Sequence, residues 1–290
     1  MANLASLIVT VYNKPEHLRC ILEACRRQTV TAFELIVADD GSGPGVAAVI
    51  GEYTDASPFP VSHVWHEDAG WRKNSILNAA IRTSTTPYVI FIDGDCIPHR
   101  RFVQDHLQER RHRVVTGGRR VETSARWTEQ LTPERVRTGA FERIGLGEIA
   151  ESLAGKSRHI ENGVWLRSRL LRAALHPHPR GICGYNFSLW KRDLEEINGF
   201  DECYTTPGFG EDVDVEYRLG LIGVQARVLH HRAIVFHLHH PKTHIPDASV
   251  RRYDLVREQA HAWCEFGLRQ AEVDARSGPA KIPAPPAASL

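Results

Sequence analysis

The chain of 290 residues carries 36 Lys and Arg against 35 Asp and Glu, a formal net charge of +1, and 42% of its residues are apolar. This composition belongs to folded globular proteins and excludes a disordered or fibrous chain. A charge so close to balance also excludes the basic field on which non-specific nucleic-acid binding depends, so any anionic ligand must be met by local groups.

Leu7 to Val11 reads as a strand, followed by Pro15 at a helix start and by Leu18, Ile21, Leu22 and Cys25 at helical spacing. Phe33 to Ala38 is a second strand, Val46 to Tyr53 a helix, Val61 to Trp65 a third strand, Trp71 to Arg82 a helix, and Tyr88 to Ile92 a fourth strand. Strands alternating with helices predict an α/β fold, a mostly parallel central sheet flanked by helices, with ligands bound beyond the carboxyl ends of the strands. From Gly117 to Leu175 the pattern loosens, with short helical stretches such as Arg143 to Leu153 and 11 Lys and Arg against 7 Asp and Glu. That segment reads either as a solvated insertion or as a basic surface for an anionic acceptor or lipid headgroups. Order returns at Cys183 to Trp190 and in a helix from Arg192 to Ile197. The turn Pro207-Gly208-Phe209-Gly210 opens a helix through Leu221, and Gln225 to His240 reads as one strand. Asp247 to Arg276 is expected as a terminal helix and 277–290, rich in Pro and Ala, as a disordered tail.

The six cysteines form no CxxC pair and no regular framework, which reads as thiols in a reducing compartment. The longest apolar stretches fall well short of the roughly 20 residues of a spanning helix, and no signal-peptide pattern opens the chain. The expectation is a cytoplasmic protein with peripheral contact at the inner face of the cell membrane.

The chemistry-bearing residues sit where the strands end. Asp93-Gly94-Asp95 sets two hard carboxylates on a tight turn, which suits Mn²⁺ or Mg²⁺ beside a phosphate-bearing ligand. Asp39-Asp40-Gly41-Ser42 follows the second strand, and Tyr12-Asn13-Lys14 the first; an acid, an aromatic and a lysine at adjoining strand ends could hold a nucleobase and its phosphates. Arg72 and Lys73 add positive charge at a helix start. Glu211, Asp212, Asp214 and Glu216 crowd the first two turns of a helix after Gly-Phe-Gly, where one could accept a proton from a hydroxyl while the others complement the helix dipole. Six histidines lie between His230 and His244; on a strand His237 and His239 share one face and His240 the other, and one of them is a candidate metal ligand.

The order of these motifs resembles the family 2 glycosyltransferases of GT-A fold, in the branch with chondroitin-polymerase-type and galactosyltransferase-like domains. The match is carried by Ser6 to Lys14, Phe33 to Ser42, Gly70 to Ala80, Phe91 to Asp95, Gly184 to Ser188, Gly199 to Glu202 and Gly208 to Asp212. The resemblance implies a Rossmann-like nucleotide-sugar half, 1–116, fused to an acceptor-binding and catalytic half, 117–245, which carries the basic insertion 117–175. It implies a UDP-sugar donor and a saccharide or lipid-linked saccharide acceptor. Thr10 and Tyr12 match positions that contact the base, Asp40 the one that bonds uracil, and Arg72 one near the diphosphate. Lys14, Lys73, Gly94 and Asn186 fall in the same donor-binding motifs. Asp93 matches the acid near the ribose, Asp95 the principal metal ligand with Asp93 beside it, and His237 the late metal ligand. Asp212 matches the catalytic base and Glu211 its acidic neighbour. The rival readings are a sugar nucleotidyltransferase, which would carry a Gly-rich basic loop after the first strand, and an inactive glycan- or nucleotide-binding module.

Overall fold

The computed structural model describes residues 3–175, 181–241 and 246–269, apart from the side chains of Ala173 and Glu211. The chain runs through β1 (Ala5–Val11), α1 (Pro15–Arg26), β2 (Phe33–Asp39), α2 (Pro44–Thr54), β3 (Val61–Trp65), α3 (Lys73–Thr83) and β4 (Tyr88–Ile92) in the alternation read from the sequence. Every residue of β1, β2 and β4 is buried, the signature of strands covered on both faces. Then come β5 (Cys96–Pro98), α4 (Phe102–Glu109), β6 (Val114–Gly118), β7 (Arg120–Glu122), α5 (Ala125–Glu129), α6 (Pro133–Thr138), α7 (Leu146–Leu153) and α8 (Arg169–Leu175). The last part holds β8 (Asn186–Trp190), α9 (Lys191–Glu196), α10 (Glu211–Leu221), β9 (Gln225–Leu229), β10 (Val235–His237) and α11 (Asp247–Gln259).

A seven-stranded sheet has the order β3-β2-β1-β4-β8-β6-β9, parallel except for β8, which lies antiparallel between β4 and β6. Alternation along β1 divides the core between the two faces. Leu7, Val9 and Val11 pack with α1 and α2 on one side, and Ile8 with Ile76, Leu77, Leu194 and Leu219 on the other. A three-stranded sheet, β5-β10-β7, stands beside the carboxyl end of β4.

Three expectations are corrected. Gln225 to His240 is not one strand: the chain turns between β9 and β10, with His231 and Ala233 in left-handed backbone (φ 58° and 47°). The turn is held by buried Asp105 of α4, which accepts from Arg232 Nη1 at 2.7 Å and from the Ala233 amide at 2.9 Å. The short helix expected from Arg143 begins at Leu146, where Glu148 caps the Gly145 amide. The terminal helix stops at Gln259 because Ala260 turns left-handed, and Cys264 and Leu268 then pack back on Asn198, whose carbonyl accepts from the Leu268 amide at 2.8 Å. Residues 270–276 and the tail 277–290 lie outside the described residues. No helix among the described residues is long and apolar enough to cross a membrane.

Candidate active site

The parallel register pairs Val9 with Ile92, which sets Thr10 beside Asp93 just past the strand ends. Thr10 Oγ1 donates to Asp93 Oδ1 at 3.1 Å, and Lys73 Nζ, from the first turn of α3, reaches the same oxygen at 2.7 Å. Gly94 permits this closeness, since a Cβ there would stand 2.3 Å from the Thr10 carbonyl oxygen. Thr10, Tyr12, Lys14, Asp40, Lys73, Asp93, Gly94, Asp95, Asp212 and His237 all line one cavity of about 1190 Å³.

Asp40 is buried, and its two oxygens divide between His66 Nε2 at 2.7 Å and the Arg72 amide at 3.0 Å. Half-exposed Tyr12 donates its hydroxyl to Asp68 Oδ2 at 3.0 Å. Arg72 departs from expectation: its guanidinium donates to the Glu67 carbonyl and it does not line the cavity, so of the pair Arg72 and Lys73 it is Lys73 that does.

The small sheet brings the histidines to the acids. His237 of β10 stands opposite Cys96 of β5, and its Nε2 lies 3.5 Å from Asp95 Oδ2; His240 Nε2 lies 3.2 Å from the same oxygen. Since β10 ends at His237, the strand alternation that separated His237 from His240 does not apply, and the two rings converge. His239 is instead tied through its amide to Thr128 Oγ1. Burial acts to raise the Asp95 carboxyl, but the His240 hydrogen bond and the charges of His237 and His240 outweigh it and hold the group at about 2. Burial pulls His237 below its ordinary value, while the hydrogen bond to Asp95 lifts His240 above its own. Ligand atoms of Asp95, Cys96 and His237 lie within 4.8 Å of one another. Burial pushes the Cys96 thiol well up, and beside it Asp95 and His237 offer a carboxylate oxygen and an imidazole nitrogen.

Asp212 stands at the start of α10, its Oδ2 accepting from the Gly184 amide at 2.8 Å and its Oδ1 from the Val213 amide at 2.9 Å. These two amides fix the direction of the carboxylate. The side chain of Glu211 lies outside the described residues. Asp214 is consumed by buried Arg218 at 2.5 Å, and Glu216 by the Ile182 amide at 2.9 Å. Asn186 is also corrected: it is fully buried, with its amide accepting from His106 Nε2 at 3.0 Å and donating to the Ala233 carbonyl at 2.6 Å, so it braces the sheet rather than the cavity.

Cavity residues that the sequence reading passed over include His17, Arg120 and Tyr185, together with Gly155 to Arg158 of the basic insertion, while His240, one of the three candidate histidines, lines it too. His66, the partner of Asp40, was passed over as well. His66 carried a signal, as a polar residue just past the end of β3, where the parallel sheet places its ligands. Arg120 and Gly155 to Arg158 lie in the segment read either as a solvated insertion or as a basic acceptor surface, but nothing in the sequence singled these residues out, because only strand pairing in space brings them to the cavity.

The family model described as Glycosyl transferase family 2 matches residues 6–170. The validoxylamine A glucosyltransferase of Streptomyces hygroscopicus subsp. jinggangensis is 26% identical over 236 residues, which is 78% of this chain and 53% of that protein. The chondroitin synthase of Escherichia coli is 25% identical over 226 residues, 74% of this chain and 32% of that protein. The chain therefore spans about half the length of the first relative and a third of the second. Among solved structures, the mannosyltransferase PcManGT from Pyrobaculum calidifontis, in complex with GDP-Man and Mn2+, matches with a TM-score of 0.53 at 16% identity, over 89% of this chain and 62% of that one.

Proposed function

The chain belongs to glycosyl transferase family 2, with the α/β fold of the GT-A type, and from that membership we propose that it is an inverting, metal-dependent glycosyltransferase. It moves a sugar from a nucleotide sugar, a UDP-sugar, to a hydroxyl of a saccharide or lipid-linked saccharide in glycoconjugate synthesis. One observation carries this reading: the acid Asp212, the paired acids Asp93 and Asp95, Lys73 and Asp40 all line a single cavity. A sugar nucleotidyltransferase would need a Gly-rich basic loop after β1, where this chain has Thr10-Val11-Tyr12-Asn13-Lys14.

The donor set of Asp95 and His237, with Asp93 adjacent, fits a divalent cation such as Mn²⁺ or Mg²⁺. Bound there, the ion would offset the charge of a diphosphate leaving group. Lys73, already paired with Asp93, supplies a second cation at the same point. Asp40 offers carboxylate oxygens to a base N–H, and the exposed ring of Tyr12 offers a stacking face. Asp212 takes the proton from the acceptor hydroxyl; the oxygen forms its bond to the anomeric carbon as the bond to the nucleotide diphosphate breaks on the opposite face. A UDP-α-sugar gives a β-linked product.

Asp212→Asn keeps the shape of the side chain and removes the base. Transfer is expected to fall by about 10²- to 10⁴-fold, while UDP binding, measured by titration, stays within about twofold of wild type. Transfer at the wild-type rate by this variant would remove Asp212 from the mechanism. Metal-dependent turnover of a UDP-sugar by the wild-type chain separates the transferase from an inactive binding module, which has none.

A further inference from the structure

The cavity extends well past the paired acids. In the small sheet His237 pairs with Cys96 on one side and with Glu122 of β7 on the other, and Glu122 in turn pairs with Arg158 through two reciprocal backbone hydrogen bonds of 3.0 Å. Cys96, His237, Glu122 and Arg158 thus form one cross-strand row, and residues aligned across strands project to the same face. Arg158 lies three strand spacings, about 14 Å, from Cys96.

This far end is cationic. Lys156 and Arg158 are exposed to the cavity and meet no acidic partner among the described residues. The acid in the row, Glu122, is already matched by Arg120 at 2.9 Å, whose guanidinium also lies 4.4 Å over the Tyr185 ring. Between the two cations Ser157 is turned away, 7% exposed and lining a second, small cavity with Val121, Trp127 and Phe236.

We propose that Lys156 and Arg158 form an acceptor subsite for an anionic group, a carboxylate or a phosphate carried by the acceptor saccharide. The proposal rests on the transferase reading above and assigns its acceptor class. A uronic acid and a phosphate-linked sugar present the same chemistry here, a compact anion that two cations can bind together.

The test is calorimetric titration of the full chain saturated with Mn²⁺ and UDP, so that the donor end is filled. Three probes are compared: methyl glucuronide, N-acetylglucosamine 1-phosphate, and neutral methyl glucoside. At least one anionic probe is expected to bind tenfold or more tighter than the neutral one. The preference should vanish in Lys156→Ala/Arg158→Ala, whose side chains are exposed, and weaken from 50 to 500 mM salt. A tighter glucuronide assigns a uronic acid acceptor, and a tighter sugar phosphate a phosphate-linked one. Equal affinity for charged and neutral probes, or a preference that survives the double variant, overturns the subsite. If the wild-type chain fails to bind UDP, the transferase reading itself is what fails.

Discussion

His106 has no exposed surface, and each ring nitrogen has one partner: Nε2 donates to Asn186 Oδ1 at 3.0 Å and Nδ1 accepts from Ser188 Oγ at 2.7 Å. Burial pulls its pKa down to about 4. In the unfolded chain an imidazole titrates near 6.5, so between those values the unfolded state holds a proton that the folded state refuses. Stability is therefore unaffected by this group above pH 6.5 and falls as pH drops towards 4, by on the order of 3 kcal/mol. Urea denaturation of wild type and His106→Gln across pH 4.5 to 7 should give a steeper fall for wild type; parallel curves would mean the ring titrates normally. The same contacts explain why Asn186 was misplaced from sequence. It sits in a motif whose Gly184 and Tyr185 do face the cavity, but one pleat along the strand its side chain points into the core.

The element that carries His237 is only three residues long and depends on Asp105 of α4 for its position. That carboxylate holds Arg232 at 2.7 Å, the Ala233 amide at 2.9 Å and Trp165 Nε1 at 3.1 Å, all at the turn into β10. Asp105→Ala leaves Arg232 buried without its acid and should cost about 3 to 5 kcal/mol in urea denaturation. By contrast Glu134→Ala, which breaks the exposed pair with Arg137, should leave the urea midpoint close to that of wild type. A similar cost for both would mean that Asp105 does not anchor the turn. The apolar runs of β1, β2 and β4 were legible because strands covered on both faces need no alternation. Asp93, Asp95 and Asp212 were legible because they follow a strand end or a Gly-rich turn. The three-residue strands β5, β7 and β10 are too short to show a period and exist only through pairing. The bend before β10 was hidden because its left-handed residues are His231 and Ala233 rather than glycines.

At the scale of the molecule, the cavity is walled by the strand ends of the large sheet, by the small sheet and by the insertion, so a ligand that fills it braces three parts of the chain at once. Ligand at 100 times its Kd adds about 2.7 kcal/mol to the native state, a rise in Tm of roughly 5 °C or more. UDP with Mn²⁺ should give that rise, and UDP with EDTA a clearly smaller one; equal shifts would argue against a metal-bridged diphosphate. The seven-stranded sheet interleaves chain segments far apart in sequence, since β8, residues 186–190, fills the space between β4 and β6. During synthesis β4 therefore leaves the ribosome with an open, wholly apolar edge, and β6 emerges with no strand to pair. At 5 to 20 residues per second the missing strand follows β4 by roughly 5 to 20 s, an interval in which that edge can capture another nascent chain. Slower elongation through the insertion should lower the soluble yield without changing the stability of the finished protein.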